Sequence, residues 1–225
     1  MRSSAGSSKL KMFVAMLVAA TVGLAAAGCT DDRRAEEPTP SSSTVAPSMT
    51  FEEAYRKLPM NGTKALPITW DLSALPDTDE VLAARRSLAF IYWERQATDW
   101  TEVIPIGRFV YTEAFYEEFL APFARSSAVQ DPLIGPIWVK VMGVERTGPN
   151  RATVTFCTDH GYWRHAEEKH FKVRQDRANL ESYVMENVES GDGERHWLAD
   201  HLIDNDGDRQ AKYGAECTKW ARHQA

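Results

Sequence analysis

The residues from Ile137 to Trp163 read I-W-V-K-V-M-G-V-E-R-T-G-P-N-R-A-T-V-T-F-C-T-D-H-G-Y-W, and their pattern decides the fold. Two runs rich in β-branched and aromatic residues flank Thr147-Gly148-Pro149-Asn150, a turn-forming quartet, so the stretch reads as a hairpin. In the second run Ala152, Val154 and Phe156 share one face and Thr153, Thr155 and Cys157 the other, because strand side chains alternate. One of these faces is expected to pack on a core.

Working outward from the hairpin, the chain upstream has a helical period. Thr50-Phe51-Glu52-Glu53 has the spacing of a capping box, opening a short helix that ends before Pro59. Met60 to Leu75 reads as irregular, with Asn61-Gly62 as a turn. Asp77 or Thr78 caps a helix over about 79–97, whose stripe Val81, Ala84, Leu88, Ile91 and Tyr92 is widened by Phe90 and Trp93. Arg85, Arg86, Glu94 and Arg95 fall largely outside that stripe. Trp100 to Ile106 is expected as a loop or short strand. A third helix opens at Tyr111 or Thr112, with Phe115, Phe119, Leu120 and Phe123 on one side.

Downstream, residues 164–178 read as an exposed connection or an extended hairpin tip. Asn179 to Glu189 alternates imperfectly as a third strand, Gly191-Asp192-Gly193-Glu194 is a turn, and His196 to Ala199 forms a fourth strand. A final helix is expected over about 209–222. Helices first and an antiparallel meander second make the class α+β, with the helices covering one sheet face.

Composition agrees with a globular domain: 43% of the 225 residues are hydrophobic and 26% charged. The net charge is -6, and the first 28 residues hold Arg2, Lys9 and Lys11 but no acid, so the remainder is more acidic still. That balance opposes nonspecific nucleic-acid binding, which needs surplus positive charge. G-x-G-x-x-G, Walker A and G-x-S-x-G motifs are missing from the sequence.

The N-terminus has the form of an export signal. Those three basic residues precede an apolar run from Met12, closing in Leu24-Ala25-Ala26-Ala27-Gly28-Cys29. The close resembles the lipobox of bacterial lipoproteins, which implies acylation of Cys29 and a chain held at the cell membrane on its extracytoplasmic face. An ordinary cleaved signal and an uncleaved anchor are the alternatives. Residues 29–48, rich in Pro, Ser and Glu, are expected to be a disordered tether, and 49–225 a single folded domain.

With Cys29 assigned to lipid, Cys157 and Cys217 remain. An even pair in an exported domain reads as one disulfide, closing a loop of about 60 residues worth roughly 4 kcal/mol; two unpaired thiols are the competing reading. The hairpin, the step Cys157-Thr158-Asp159 and the segment Asp192-Gly193-Glu194-Arg195-His196-Trp197 together resemble exported actinobacterial lipoproteins with a SnoaL-like domain, in the nuclear-transport-factor-like superfamily. The resemblance covers about residues 77–205. It implies a cone, with helices packed on a curved antiparallel or mixed sheet around an apolar pocket, often in a homodimer. Superfamily enzymes use an Asp or an Asp/His pair there, but no such residue aligns onto this chain.

Three groups of residues could carry chemistry. Asp159, His160 and Tyr162 could form an acid/base cluster at a cavity mouth. His160, His165 and His170 recur every five residues; they read as exposed loop histidines rather than zinc ligands. Asp204, Asp206 and Asp208 have calcium-loop spacing, but Arg209 and Ala215 stand where that loop needs Gly and Glu, so an acidic turn before the last helix is the plainer reading. Tyr92, Trp93, Trp138 and Trp163 are expected to line a ligand pocket or build the core. The leading functional reading is a non-enzymatic lipoprotein, without cofactor, binding a small apolar ligand or an envelope protein. A pocket enzyme centred near Asp159 and His160 and a pocketless accessory domain are the alternatives.

Overall fold

The computed structural model describes residues 49–123, 131–204 and 206–222. The expected signal segment, Cys29 and the tether lie outside them. No helix among the described residues is long and apolar enough to cross a membrane.

Thr50 caps α1 (Phe51–Lys57) in the expected box: its hydroxyl accepts from the Glu53 N–H while the Glu53 carboxylate accepts from the Thr50 N–H. Four residues expected to be irregular instead form β1 (Ile68–Asp71), which runs parallel to the first hairpin strand, β3 (Ile137–Gly148). Parallel neighbours need a long crossover, and the chain between the two strands provides it. That crossover carries α2 (Asp79–Gln96), a 3₁₀ turn over Ile104–Phe109 where a loop or short strand was expected, and α3 (Glu113–Phe115). Thr112 caps α3, which widens at once into a π-helical turn over Tyr116–Leu120 rather than continuing as a regular helix.

The described residues of the domain are α+β, with N-terminal helices against a curved, open, mixed sheet. The hairpin is β3 (Ile137–Gly148) and β4 (Arg151–Asp159), turning at Pro149 and Asn150. Then come β6 (Ala178–Glu189) and β7 (Arg195–Asp204), the last longer than its sequence suggested. The strand order is β1-β3-β4-β6-β7. A separate two-stranded ladder joins β2 (Leu133–Ile134) to β5 (Arg164–His165) and ties the 164–178 connection down at its start.

The alternation read from the hairpin holds. Val154 and Phe156, with Ile137, Val139 and Val141 of β3, pack against the N-terminal helices. Cys157 points the other way, into a small cluster with Leu180, Tyr213, Cys217 and Ala221 beneath α4 (Gly207–Trp220). Because both faces of β4 are covered, all its residues after Arg151 are buried. Cys157 and Cys217 form the disulfide, with Cα atoms 5.4 Å apart.

Helix α2 is enclosed beyond its apolar stripe. Arg85 and Glu94, expected outside that stripe, are buried at 9% exposure each. Arg85 is accommodated by an ion pair to Asp77 at 2.6 Å and by stacking over Trp70 at 4.7 Å. Burial pushes the Glu94 carboxyl above its ordinary range, with Arg95 opposing.

Candidate active site

In the β4–β6 ladder Phe156 lies opposite Glu181 and Thr158 opposite Asn179. That register places Glu181 on the helix-facing side, diagonal to Thr158. Glu181 shares the parity of its neighbours Tyr183 and Met185, so a carboxylate stands in line with two side chains of the apolar core. Tyr92, one turn beyond Leu88 on α2, reaches it from above. His160, the first residue after β4, is held by its backbone N–H to the Arg177 carbonyl at 2.8 Å.

These four side chains form a buried hydrogen-bonded chain. Tyr92 donates its hydroxyl proton to Glu181 Oε1 at 2.7 Å, and Thr158 donates to the same oxygen at 2.8 Å. His160 Nε2 lies 2.6 Å from the Tyr92 oxygen. A phenol has one proton, and Tyr92 has given it to Glu181, so His160 donates from Nε2 to the Tyr92 lone pair. In the neutral ring Nδ1 is then unprotonated, and it has no hydrogen-bond partner among the described residues. Burial depresses the His160 pKa; Glu181 opposes this, and the cations Arg95 and Arg174 add to it. Burial and the Glu181 charge together push the Tyr92 phenol far above its usual value. At neutral pH both His160 and Tyr92 are thus uncharged.

The surroundings are aromatic. Trp163 lies against the His160 ring with centroids 4.6 Å apart, and Arg95 is 5.9 Å from the Trp163 ring. Three buried polar atoms nearby, the hydroxyls of Tyr111 and Tyr183 and the indole nitrogen of Trp163, have no hydrogen-bond partner among the described residues. Buried polar groups are normally satisfied, so three in one interior are unusual.

Of the expected cluster, His160 and Asp159 part company. Asp159 points away and takes Arg177 in a two-pronged ion pair at 2.6 and 2.5 Å, and it accepts the Gly161 N–H at 2.8 Å. A Cβ on Gly161 would collide with that guanidinium, which explains a glycine there. Tyr162 lies beneath Arg177, at 5.3 Å from its guanidinium, and against Trp138. Reading His160 as an exposed loop histidine is corrected: its side chain is 12% exposed, because strand parity turns it inward after Thr158. His165 and His170 are exposed as expected.

The four pocket aromatics are distributed. Tyr92 belongs to the buried chain, and Trp93 borders a shallow groove of about 270 Å³ beside Gln96 and Val103. Trp138 packs with Tyr162, and Trp163 borders a groove of about 430 Å³. Asp206 serves as the N-cap of α4, accepting from the backbone of Asp208 and Arg209, and Asp204 ends β7. No group of three or more His, Cys, Asp or Glu side chains among the described residues is arranged to hold a metal ion.

Sequence reading missed Glu181 and Thr158. Glu181 could have been found: an acid two residues before Tyr183 and four before Met185 falls on the core-facing parity of that strand. No protein-family model, curated protein sequence or solved structure matches this chain.

Proposed function

We propose that the domain is a small pocket enzyme of the SnoaL-like type, held outside the cytoplasmic membrane by lipid on Cys29, in which His160 acts as a general base. The disulfide supports export, since such bonds persist in oxidising compartments. The helix-covered curved sheet supports the SnoaL-like reading of the fold. The catalytic reading rests on one observation: the unbroken chain from His160 through Tyr92 to Glu181, with links of 2.6 and 2.7 Å, buried at Glu181 and part-buried at His160.

The chain has a direct chemical consequence. A substrate proton moves to the free Nδ1 lone pair of His160, and the imidazolium that forms keeps its Nε2–H on the Tyr92 oxygen. Tyr92 in turn leans on Glu181, whose carboxylate oxygen is 3.8 Å from Nε2 and stabilises the new positive charge. Returning the proton from Nδ1 to a different substrate atom completes a proton-transfer reaction without a cofactor. The depressed pKa keeps the resting ring neutral and competent as a base.

The test uses 5-nitrobenzisoxazole, whose ring opens to a coloured phenolate when a base takes its carbon-bound proton. The full chain is expected to accelerate this reaction above buffer, and His160→Gln to abolish the acceleration while the fold persists by circular dichroism. Equal rates in the two proteins would end the catalytic reading. Binding without turnover, of a small ligand or an envelope partner, is the second reading, favoured by the aromatic groove that Trp163 lines.

A further inference from the structure

The groove of about 430 Å³ beside Trp163 has a chemistry of its own. Its lining includes Trp163, Arg164, His165, Phe171, Lys172 and Arg174, against a single acid, Glu168. In a chain of net charge -6 this is a local reversal of sign. Arg164, Lys172 and Arg174 make no ion pair among the described residues, whereas Arg177 close by is committed to Asp159. Fixed cations left without anions in a concave site are what an anionic ligand needs.

The walls are built, not merely exposed. The β2–β5 ladder fixes Arg164 and His165, the Ala166 N–H bonds to the Pro132 carbonyl at 2.9 Å, and the Arg174 N–H bonds to the Gly161 carbonyl at 3.0 Å. Arg164 stacks over Phe171 at 4.9 Å, which keeps a guanidinium beside an aromatic face. Trp163 supplies a second aromatic wall, and its indole N–H is a buried donor with no acceptor among the described residues. Aromatic walls favour a planar apolar body, and the cations favour a negative group on it.

We propose that this groove binds a small planar molecule bearing a carboxylate or phosphate, and that such molecules are the substrate class. As a substrate site the proposal rests on His160 being the base; Trp163, which lines the groove, lies against the His160 ring with centroids 4.6 Å apart. As a binding site it stands on the groove alone. Arg174 lines this groove and also the adjoining one of about 630 Å³, so a ligand longer than one ring would run past it toward Arg222.

The experiment titrates the full chain with 1-naphthoate and with the neutral 1-naphthamide, followed by calorimetry at low and high salt. The carboxylate is expected to bind at least about tenfold more tightly, with the preference shrinking as salt screens the cations. Arg164→Gln with Arg174→Gln should reduce the carboxylate to the affinity of the amide, and Phe171→Ala should weaken both. His160→Gln should leave binding intact while stopping benzisoxazole opening. Equal affinities for the two probes, or naphthoate binding indifferent to the arginine changes, would overturn the proposal. Naphthoate binding without any base-catalysed ring opening would sustain the groove and remove the catalytic reading. Ring opening without naphthoate binding would do the reverse.

Discussion

The two faces of the sheet solve the same problem differently. On the helix-facing side a large apolar cluster, from Leu88 and Phe90 to Phe156 and Tyr183, holds the N-terminal helices by burial. Each fully buried large side chain there contributes about 1.5–3 kcal/mol, enough to carry a polar chain in its midst. On the other side α4 covers only Cys157, Leu180, Tyr213, Cys217 and Ala221, with a few partly buried neighbours. That patch is too small to seat a helix securely, and the Cys157–Cys217 bond compensates. Covalent fastening is found where burial is thin, and the hydrogen-bonded polar chain where burial is deep.

The largest expected effect comes from removing the fastening. Cys157→Ser with Cys217→Ser releases a 60-residue separation, worth about 4 kcal/mol on the loop-entropy account. Guanidinium unfolding should show that loss, and hydrogen exchange should place the new openings in α4 and not in α2. Loss of protection spread equally over both helices would dissolve the contrast between the faces.

Next in size is the polar chain. Tyr92→Phe removes the central hydroxyl and leaves His160 and Glu181 without their bridge, so it should cost about 2 kcal/mol, as for buried hydrogen bonds to charged groups. Tyr183→Phe removes a buried hydroxyl with no partner among the described residues and should be neutral or slightly stabilising. Matching losses for the two variants would mean that Tyr183 also has a partner, such as a buried water, and that the interior is wetter than its side chains suggest.

Much of this arrangement was legible in the sequence, and the limits have physical causes. The hairpin faces followed from a period of two, and the Cys157–Cys217 pair from the expectation of export and an even count. The chain at His160 was only half legible. Neighbours along a strand point to opposite faces, so Asp159 and His160 were never placed to act together. The acid that does meet His160 is Glu181, brought there by β4–β6 register, which no local pattern encodes. β1 was missed because four residues after a proline carry little signal, and its pairing with β3 crosses most of the N-terminal helices. The widening after α3 was missed because Phe115, Phe119 and Leu120 suit a regular helix as well as a π turn.

A smaller effect is expected from pH. His160 is buried with a depressed pKa, so the unfolded chain binds the proton more readily than the folded one. Stability should therefore be complete above pH 6.5 or so, the usual histidine value, and fall as pH drops from there toward the folded pKa. One proton limits the slope to about 1.4 kcal/mol per pH unit. His160→Gln should flatten that part of the profile, measured by thermal unfolding between pH 5 and 7 (roughly the window in which histidine titrates). A slope that survives the substitution would belong to another group, and the interior chain would lose its claim to hold a neutral imidazole.

The smallest effect should come from the charges that rim α4. Lys212 meets Glu145 at 2.7 Å and Lys140 meets Glu216 at 3.0 Å. The Lys212 ammonium is pushed up to about 12 by its hydrogen bond to Glu145, but it is exposed, and solvent and salt screen such pairs. Lys212→Gln should therefore leave the unfolding midpoint unchanged within error, at low salt and at high. If it instead loosened α4 as much as losing the disulfide does, the helix would be held by its charged rim, and the covalent bond would be redundant to the face it closes.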